Sequence, residues 1–229
     1  MADPGPVLAD LARHIDISCV QAQHARADID ELVRQAVAGG FVSAHVLPEW
    51  LGYLRERLEG TSVLAGSPVS FPSGGATTAT KVAEASELLS LGAQELDVVV
   101  AIGRLRSGDD AYVTNELAAI VEVVDGRVPL RAILEVGRLD DDDIRRGVDA
   151  AVEAGVPWIK TGTGWSGVPT SIEHIRLIAE RADGRAALKA AGGIRDLDTV
   201  RTMAELGVTR FGMNATAALA AVAATKDSR

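Results

Sequence analysis

Eight short apolar runs recur along the chain, at 14–18, 41–48, 62–71, 95–103, 130–137, 157–162, 186–191 and 209–214. Between them lie longer stretches whose apolar residues return at helical spacing, among them 28–38, 78–91, 110–124, 140–154, 171–181, 197–206 and 215–224. Asp or Ser stands near the start of several of these stretches. Glycine stands near the end of most, at Gly39-Gly40, Gly92, Gly126, Gly155, Gly184 and Gly207. A strand, a helix and a glycine turn into the next strand make one βα unit. Eight such units in about 210 residues fit an α/β chain folded as a single-domain (β/α)8 TIM barrel, whose functional face is the rim at the C-terminal ends of its strands. No linker or composition break divides 1–229, so one domain is expected. An open doubly wound sheet is the competing arrangement, but no glycine-rich dinucleotide fingerprint follows the first run.

Aromatic residues make up only 3% of a chain that is 47% apolar, so Ala, Val, Leu and Ile must build the core, as suits parallel strands covered by helices. Against 32 Asp and Glu stand 23 Lys and Arg, a formal charge of -9 that repels phosphodiester backbones and anionic lipid. Nucleic acid is therefore not an expected partner. No segment offers the ~20 consecutive apolar residues of a membrane span, and the first residues lack the pattern of a signal peptide. The single cysteine, Cys19, excludes an internal disulfide and fits a reducing compartment, so a cytoplasmic location is expected.

Only four lysines, Lys81, Lys160, Lys189 and Lys226, accompany 19 arginines. Lys160 and Lys189 end apolar runs that become the sixth and seventh strands, which sets both at the functional rim. A strand-embedded lysine beside another cation loses water and feels like-charge repulsion, and both effects disfavour the ammonium form. At the ordinary value of about 10.4, roughly one amine in 2,500 is neutral at pH 7, whereas a value near 7 frees about half. A free amine can attack a carbonyl, which a guanidinium cannot. A plainer role is open to each lysine, as the partner of an anion or a carboxylate. Asp97 is a charge inside the fourth strand, where it must be paired or must relay protons.

These stretches together resemble the deoxyribose-phosphate aldolases. Phe71-Pro72 with Thr77-Thr78-Ala79-Thr80-Lys81, Leu96-Asp97-Val98-Val99-Val100-Ala101-Ile102-Gly103 and Leu134-Glu135 are similar to that family's third, fourth and fifth strand regions. Lys160-Thr161-Gly162-Thr163-Gly164 follows its Lys-Thr-Ser-Thr-Gly, and Lys189-Ala190-Ala191-Gly192-Gly193-Ile194-Arg195 its Lys-Ala-Ser-Gly-Gly-Ile-Arg. The resemblance implies a class I aldolase without metal or other cofactor. In it Lys160 forms an imine, Lys189 lowers the proton affinity of Lys160, and Asp97 moves protons. It further implies cleavage of 2-deoxy-D-ribose 5-phosphate, or a close analogue, to acetaldehyde and glyceraldehyde 3-phosphate. Substrate and phosphate contacts are expected from Gly192, Gly193, Gly212, Asn214, Thr163 and Ser18, and a homodimer is a possible assembly.

The chain departs from the family pattern at several places. Gly212-Met213-Asn214-Ala215-Thr216 replaces Gly-Thr-Ser-Ser-Gly, removing hydroxyl donors from the expected phosphate turn. This leaves open a Schiff-base lyase for another or unphosphorylated carbonyl substrate, and a non-catalytic metabolite-binding barrel. His45 stands where the family commonly has Cys, and reads as a hydrogen-bonded lining residue or an extra acid or base. Arg138 follows Glu135-Val136-Gly137 and reads as solvent-facing, or as an extra cation that compensates for the lost hydroxyl donors. His14, His24 and His174 read as surface or capping residues, the acidic run at 140–143 as a helix cap, and Trp165 as a wall of the pocket.

Overall fold

The computed structural model describes residues 2–227. Along the chain run α1 (Gly5–Ala9), β1 (Ile15–Cys19), α2 (Arg26–Gly39), β2 (Ser43–Val46), α3 (Leu51–Arg57), β3 (Leu64–Val69), α4 (Thr78–Ser90) and β4 (Glu95–Val99). There follow α5 (Ile102–Arg106), α6 (Asp110–Val124), β5 (Leu130–Ile133), α7 (Asp141–Glu153), β6 (Trp158–Lys160), α8 (Ile172–Ala182), β7 (Ala187–Ala191), α9 (Leu197–Glu205), β8 (Val208–Met213) and α10 (Ala215–Asp227). All neighbouring strands pair in parallel in the order β1 to β8, and β8 pairs with β1 to close the barrel. The expected (β/α)8 architecture is the one observed. No helix among the described residues is long and apolar enough to cross a membrane.

Helix boundaries follow capping chemistry. Asp140 accepts the Asp143 amide at 2.8 Å and opens α7 with a reciprocal box, so the acidic run is a cap as its sequence suggests. Ser171 and His174 form the same device at α8. The long apolar runs overshoot the strands they contain. The fourth stops at Val99 and turns into α5, because the Ala101 amide donates to Glu116 Oε2 at 3.1 Å. Lys81 is fully buried there, donating to Glu116 at 2.7 Å and to the Val99 carbonyl at 2.8 Å, so it locks α4, α6 and the end of β4 away from the cavity. The fifth run ends where Glu135 takes a left-handed conformation, φ 61°.

Strand alternation sends apolar side chains outward to the helices and polar ones into the barrel. Ile17, Ala44, Ala65, Val98, Ala132, Ile159 and Ala190 belong to the apolar core under the helices. Asp16, Ser43, His45, Glu95, Asp97, Arg131, Lys189 and Arg210 are buried polar or charged residues on the same strands. Barrels of this kind commonly fill their interiors with branched aliphatics. Here a lattice of ions takes their place.

Candidate active site

At the C-terminal rim opens a cavity of about 380 Å³. Lys160 from β6 and Lys189 from β7 are cross-strand partners in the register, and both reach Asp97 of β4. Asp97 Oδ2 accepts from Lys160 Nζ at 2.7 Å and from Lys189 Nζ at 3.1 Å, while its Oδ1 accepts from Arg131 at 3.0 Å. Lys189 also makes an ion contact of 2.9 Å with Asp16. Exposure separates the two amines: the Lys160 side chain is 12% exposed and lines the cavity, whereas Lys189 is fully buried behind it.

Below this level Glu95 ties the interior together. It accepts from Arg131 at 2.8 Å, from Arg210 at 3.0 Å on each oxygen, from Ser43 at 2.7 Å and from His45 Nε2 at 3.1 Å. Four Lys and Arg side chains thus face three carboxylates inside one barrel, and loss of a single ammonium proton brings them into balance. Burial pushes the Lys189 amine down to about 8, with Lys160 and Arg131 adding to the shift and Asp16 and Asp97 opposing it. Burial alone would raise the Asp97 carboxyl, but Lys160, Lys189 and Arg131 outweigh it and hold Asp97 well below the usual carboxylate range. Glu95 is held down against burial in the same way, by the His45 hydrogen bond and the two guanidiniums.

Gly192, Gly193, Gly212, Asn214, Thr163 and Ser18 all line the same cavity, so the residues singled out from the sequence converge on one place. Gly193 has φ 84°, and a Cβ there would lie 2.6 Å from Pro169 Cβ, so only glycine fits that turn. Asn214 caps α10 through its Oδ1, which accepts from the Ala217 amide at 2.9 Å. Thr163 spends its hydroxyl proton on Glu135 and accepts from the Trp165 amide at 2.9 Å, so its hydroxyl is engaged before any ligand arrives.

Trp165 lines the mouth and packs edge-on against Phe71 at 5.9 Å, the wall that its position after the lysine motif suggests. His45 lines the cavity and is hydrogen-bonded, while Arg138 is exposed and donates to the Ser166 carbonyl at 3.0 Å. His24, read as a surface or capping residue, lies at the cavity mouth because the loop after β1 folds over the rim. Sequence reasoning did not assign Arg131, Glu95, Arg210 or Asp16 to the site. Arg195 lines the cavity edge as an exposed cation, a position its Gly-Gly-Ile-Arg setting could have indicated.

An amine at the base of a rim cavity, with a second amine and a shared carboxylate behind it, marks the lysine-dependent aldolases among (β/α)8 barrels. No protein-family model matches the chain. It is 51% identical over 206 residues to a deoxyribose-phosphate aldolase of Sinorhizobium medicae, covering 90% of this chain and 83% of that one. A deoxyribose-phosphate aldolase of Klebsiella pneumoniae is 46% identical over 206 residues, 89% of this chain and 82% of its own. A solved tetrameric deoxyribose phosphate aldolase from Aeropyrum pernix superposes with a TM-score of 0.86 at 28% identity, covering 97% of this chain and 93% of its own. The chain belongs to the deoxyribose-phosphate aldolase family.

Proposed function

We propose that this chain is a class I aldolase that reversibly cleaves 2-deoxy-D-ribose 5-phosphate to acetaldehyde and glyceraldehyde 3-phosphate through an imine at Lys160. The observation that carries the reading is the division of labour between two amines on one oxygen. Both meet Asp97 Oδ2, but only Lys160 reaches the cavity.

Lys160 Nζ, once neutral, attacks the aldehyde carbon of the open-chain sugar, and loss of water gives a protonated imine. That positive nitrogen is an electron sink next to the bond to be broken. The proton of the C3 hydroxyl passes to the Asp97–Lys189 pair, which suits the task because Lys189 is neutral in part near pH 8. The C2–C3 bond then breaks, glyceraldehyde 3-phosphate leaves, and its electron pair is stored as a neutral enamine. Carbon protonation and hydrolysis release acetaldehyde and restore the amine.

For the phosphate, Gly192, Gly193, Asn214 and Arg195 line the cavity, and between them they carry backbone amides, a side-chain amide and a guanidinium. Backbone donors and one cation can hold an anion without the missing hydroxyls. A cytoplasmic location and a homodimer belong to the same reading, and cell fractionation and sedimentation analysis test them. The central test is borohydride reduction with acetaldehyde or deoxyribose 5-phosphate followed by peptide mass analysis. A reduced adduct on Lys160 is expected, and no adduct with either compound would remove the nucleophile. Equal cleavage of deoxyribose and its 5-phosphate would instead favour an unphosphorylated substrate.

A further inference from the structure

We propose that Glu95 is a positioning residue for the reaction: from below the cavity, through Arg131 and Arg210, it sets how many protons the Lys160 and Lys189 amines hold. The inference rests on the imine reading above, which needs a neutral amine when the substrate arrives. Glu95 is fully buried and stands outside the cavity lining, so it acts through other groups.

Two arms lead from Glu95 to the amines. In the first, the terminal nitrogens of Arg131 divide: one donates to Glu95 Oε1 at 2.8 Å and the other to Asp97 Oδ1 at 3.0 Å, while Asp97 Oδ2 accepts from Lys160 and Lys189. In the second, Arg210 donates to both oxygens of Glu95 at 3.0 Å. It also stands 3.7 Å from Asp16 Oδ1, the oxygen that Lys189 meets at 2.9 Å. Glu95 thereby draws two guanidiniums away from the two carboxylates that hold the amines. Without its charge both guanidiniums fall to Asp97 and Asp16, and those carboxylates do less to keep an ammonium charged.

The barrel wall can be counted strand by strand. β1 brings Asp16, β2 His45, β4 Glu95 and Asp97, β5 Arg131, β6 Lys160, β7 Lys189 and β8 Arg210. β3 carries no titratable side chain, and Cys19 of β1 turns instead to the Asp28 carbonyl of α2 at 3.6 Å. His45 meets Glu95 through Nε2 at 3.1 Å and Asp97 through Nδ1 at 3.9 Å. On the loops above, His24 and Arg195 line the cavity, and Glu135 accepts from Thr163. A buried unit charge two contacts away moves an amine by roughly one pH unit at the effective dielectric of protein interiors. Glu95 is such a charge, and Arg210 is its counterweight.

The test follows the neutral Lys160 amine directly, by labelling with trace acetic anhydride across pH and mass analysis of the Lys160 peptide. The pH profile of kcat/KM for deoxyribose 5-phosphate cleavage is measured beside it. Glu95→Gln keeps the shape of the side chain and removes its charge. It is expected to move half-maximal labelling, and the ascending limb of the profile, down by roughly one pH unit. Arg210→Met removes a cation from the same lattice and is expected to move both up by a similar amount. The double variant keeps one more cation than carboxylate, as the unaltered protein does, and is expected to return close to its values.

A merely structural tie lowers stability without such opposed shifts. No downward shift in Glu95→Gln, or shifts of one sign in the two single variants, overturns the proposal. Repeated in a His45→Gln background, the Glu95→Gln shift is expected to persist; its disappearance assigns the shift to the imidazole and overturns the proposal as well. Should Glu95→Gln fail to fold, Arg210→Met and the charge-matched double variant decide, an upward shift that the double variant does not reverse being the overturning result. The imine reading fails separately: opposed labelling shifts in a protein that gives no borohydride adduct on Lys160 uphold the action of Glu95 on the amine and remove the imine.

Discussion

Lys160 and Lys189 sit side by side in the β6–β7 register, and their amines converge on a single oxygen, Asp97 Oδ2, at 2.7 and 3.1 Å. Two cations on one acceptor repel each other, and the repulsion is relieved when either gives up a proton. Burial makes Lys189 the costlier of the two to keep charged, while the cavity exposes only Lys160. In the proposed mechanism the proton economy of the site belongs to the pair, and the bond-forming role to one member.

Lys160→Arg keeps a cation against Asp97 but cannot form an imine. We expect a folded protein with no borohydride adduct and turnover reduced by roughly 10⁴-fold or more, as happens when one member of a catalytic unit is removed. Circular dichroism and a cleavage assay check both halves. A variant with near-normal turnover would refute the role of this amine.

Asp97→Asn leaves Lys160, Lys189 and Arg131 without their shared carboxylate. Breaking a buried ion pair from one side costs about 3–5 kcal/mol, and a loss of stability of that order is expected in urea titration, together with near-complete loss of cleavage. Unchanged stability would mean that the three cations find compensation elsewhere.

Lys189 carries a sign that can be measured. Its amine sits at about 8 in the folded chain against 10.5 ordinarily, so between those values the unfolded chain binds the extra proton. Its contribution to stability therefore rises with pH from about 8 toward 10.5 and is flat below that window. Lys189→Met should lose this slope. It should also move the ascending limb of the pH–rate profile upward, because Asp16 and Asp97 then act on the remaining amine without a competing cation. An unmoved limb would sever Lys189 from the proton chemistry.

Arg195 is an exposed guanidinium at the cavity edge. A charge-assisted hydrogen bond to phosphate is worth about 1.5–3 kcal/mol, so Arg195→Gln should raise the KM for deoxyribose 5-phosphate by about 10- to 100-fold while leaving deoxyribose cleavage unaltered. Equal effects on both compounds would place Arg195 outside phosphate recognition.

Much of this site can be read from the chain before any coordinates. Lys160, Lys189 and the Gly192-Gly193 turn announce themselves because they end apolar runs at the rim of a βα repeat, and Asp97 because it is a lone charge inside such a run. Arg131 and Arg210 are hidden by the same alternation that reveals the strands. Arg131 stands between the apolar Leu130 and Ala132 and Arg210 between Thr209 and Phe211, and nothing local says that either points into a barrel lined with carboxylates. Glu95 opens its strand and reads as a boundary residue, although it binds both guanidiniums. Strand ends were legible only to within a few residues. Val100 and Ala101 are as apolar as the strand before them, and the turn at Ala101 depends on Glu116 from a helix elsewhere in the sequence. The fate of the Thr163 hydroxyl was likewise set by Glu135, 28 residues away.

Lys160, Lys189 and Asp97 stand on strands, whereas Trp165, the Gly192-Gly193 turn and Arg195, which we propose meet the rest of a ligand, lie on the loops above. Such a split leaves the loops free to be exchanged or lengthened without disturbing the reacting groups. Retargeting this scaffold toward bulkier or uncharged aldehydes is accordingly a task for loop grafting, with the strands kept as a fixed chassis.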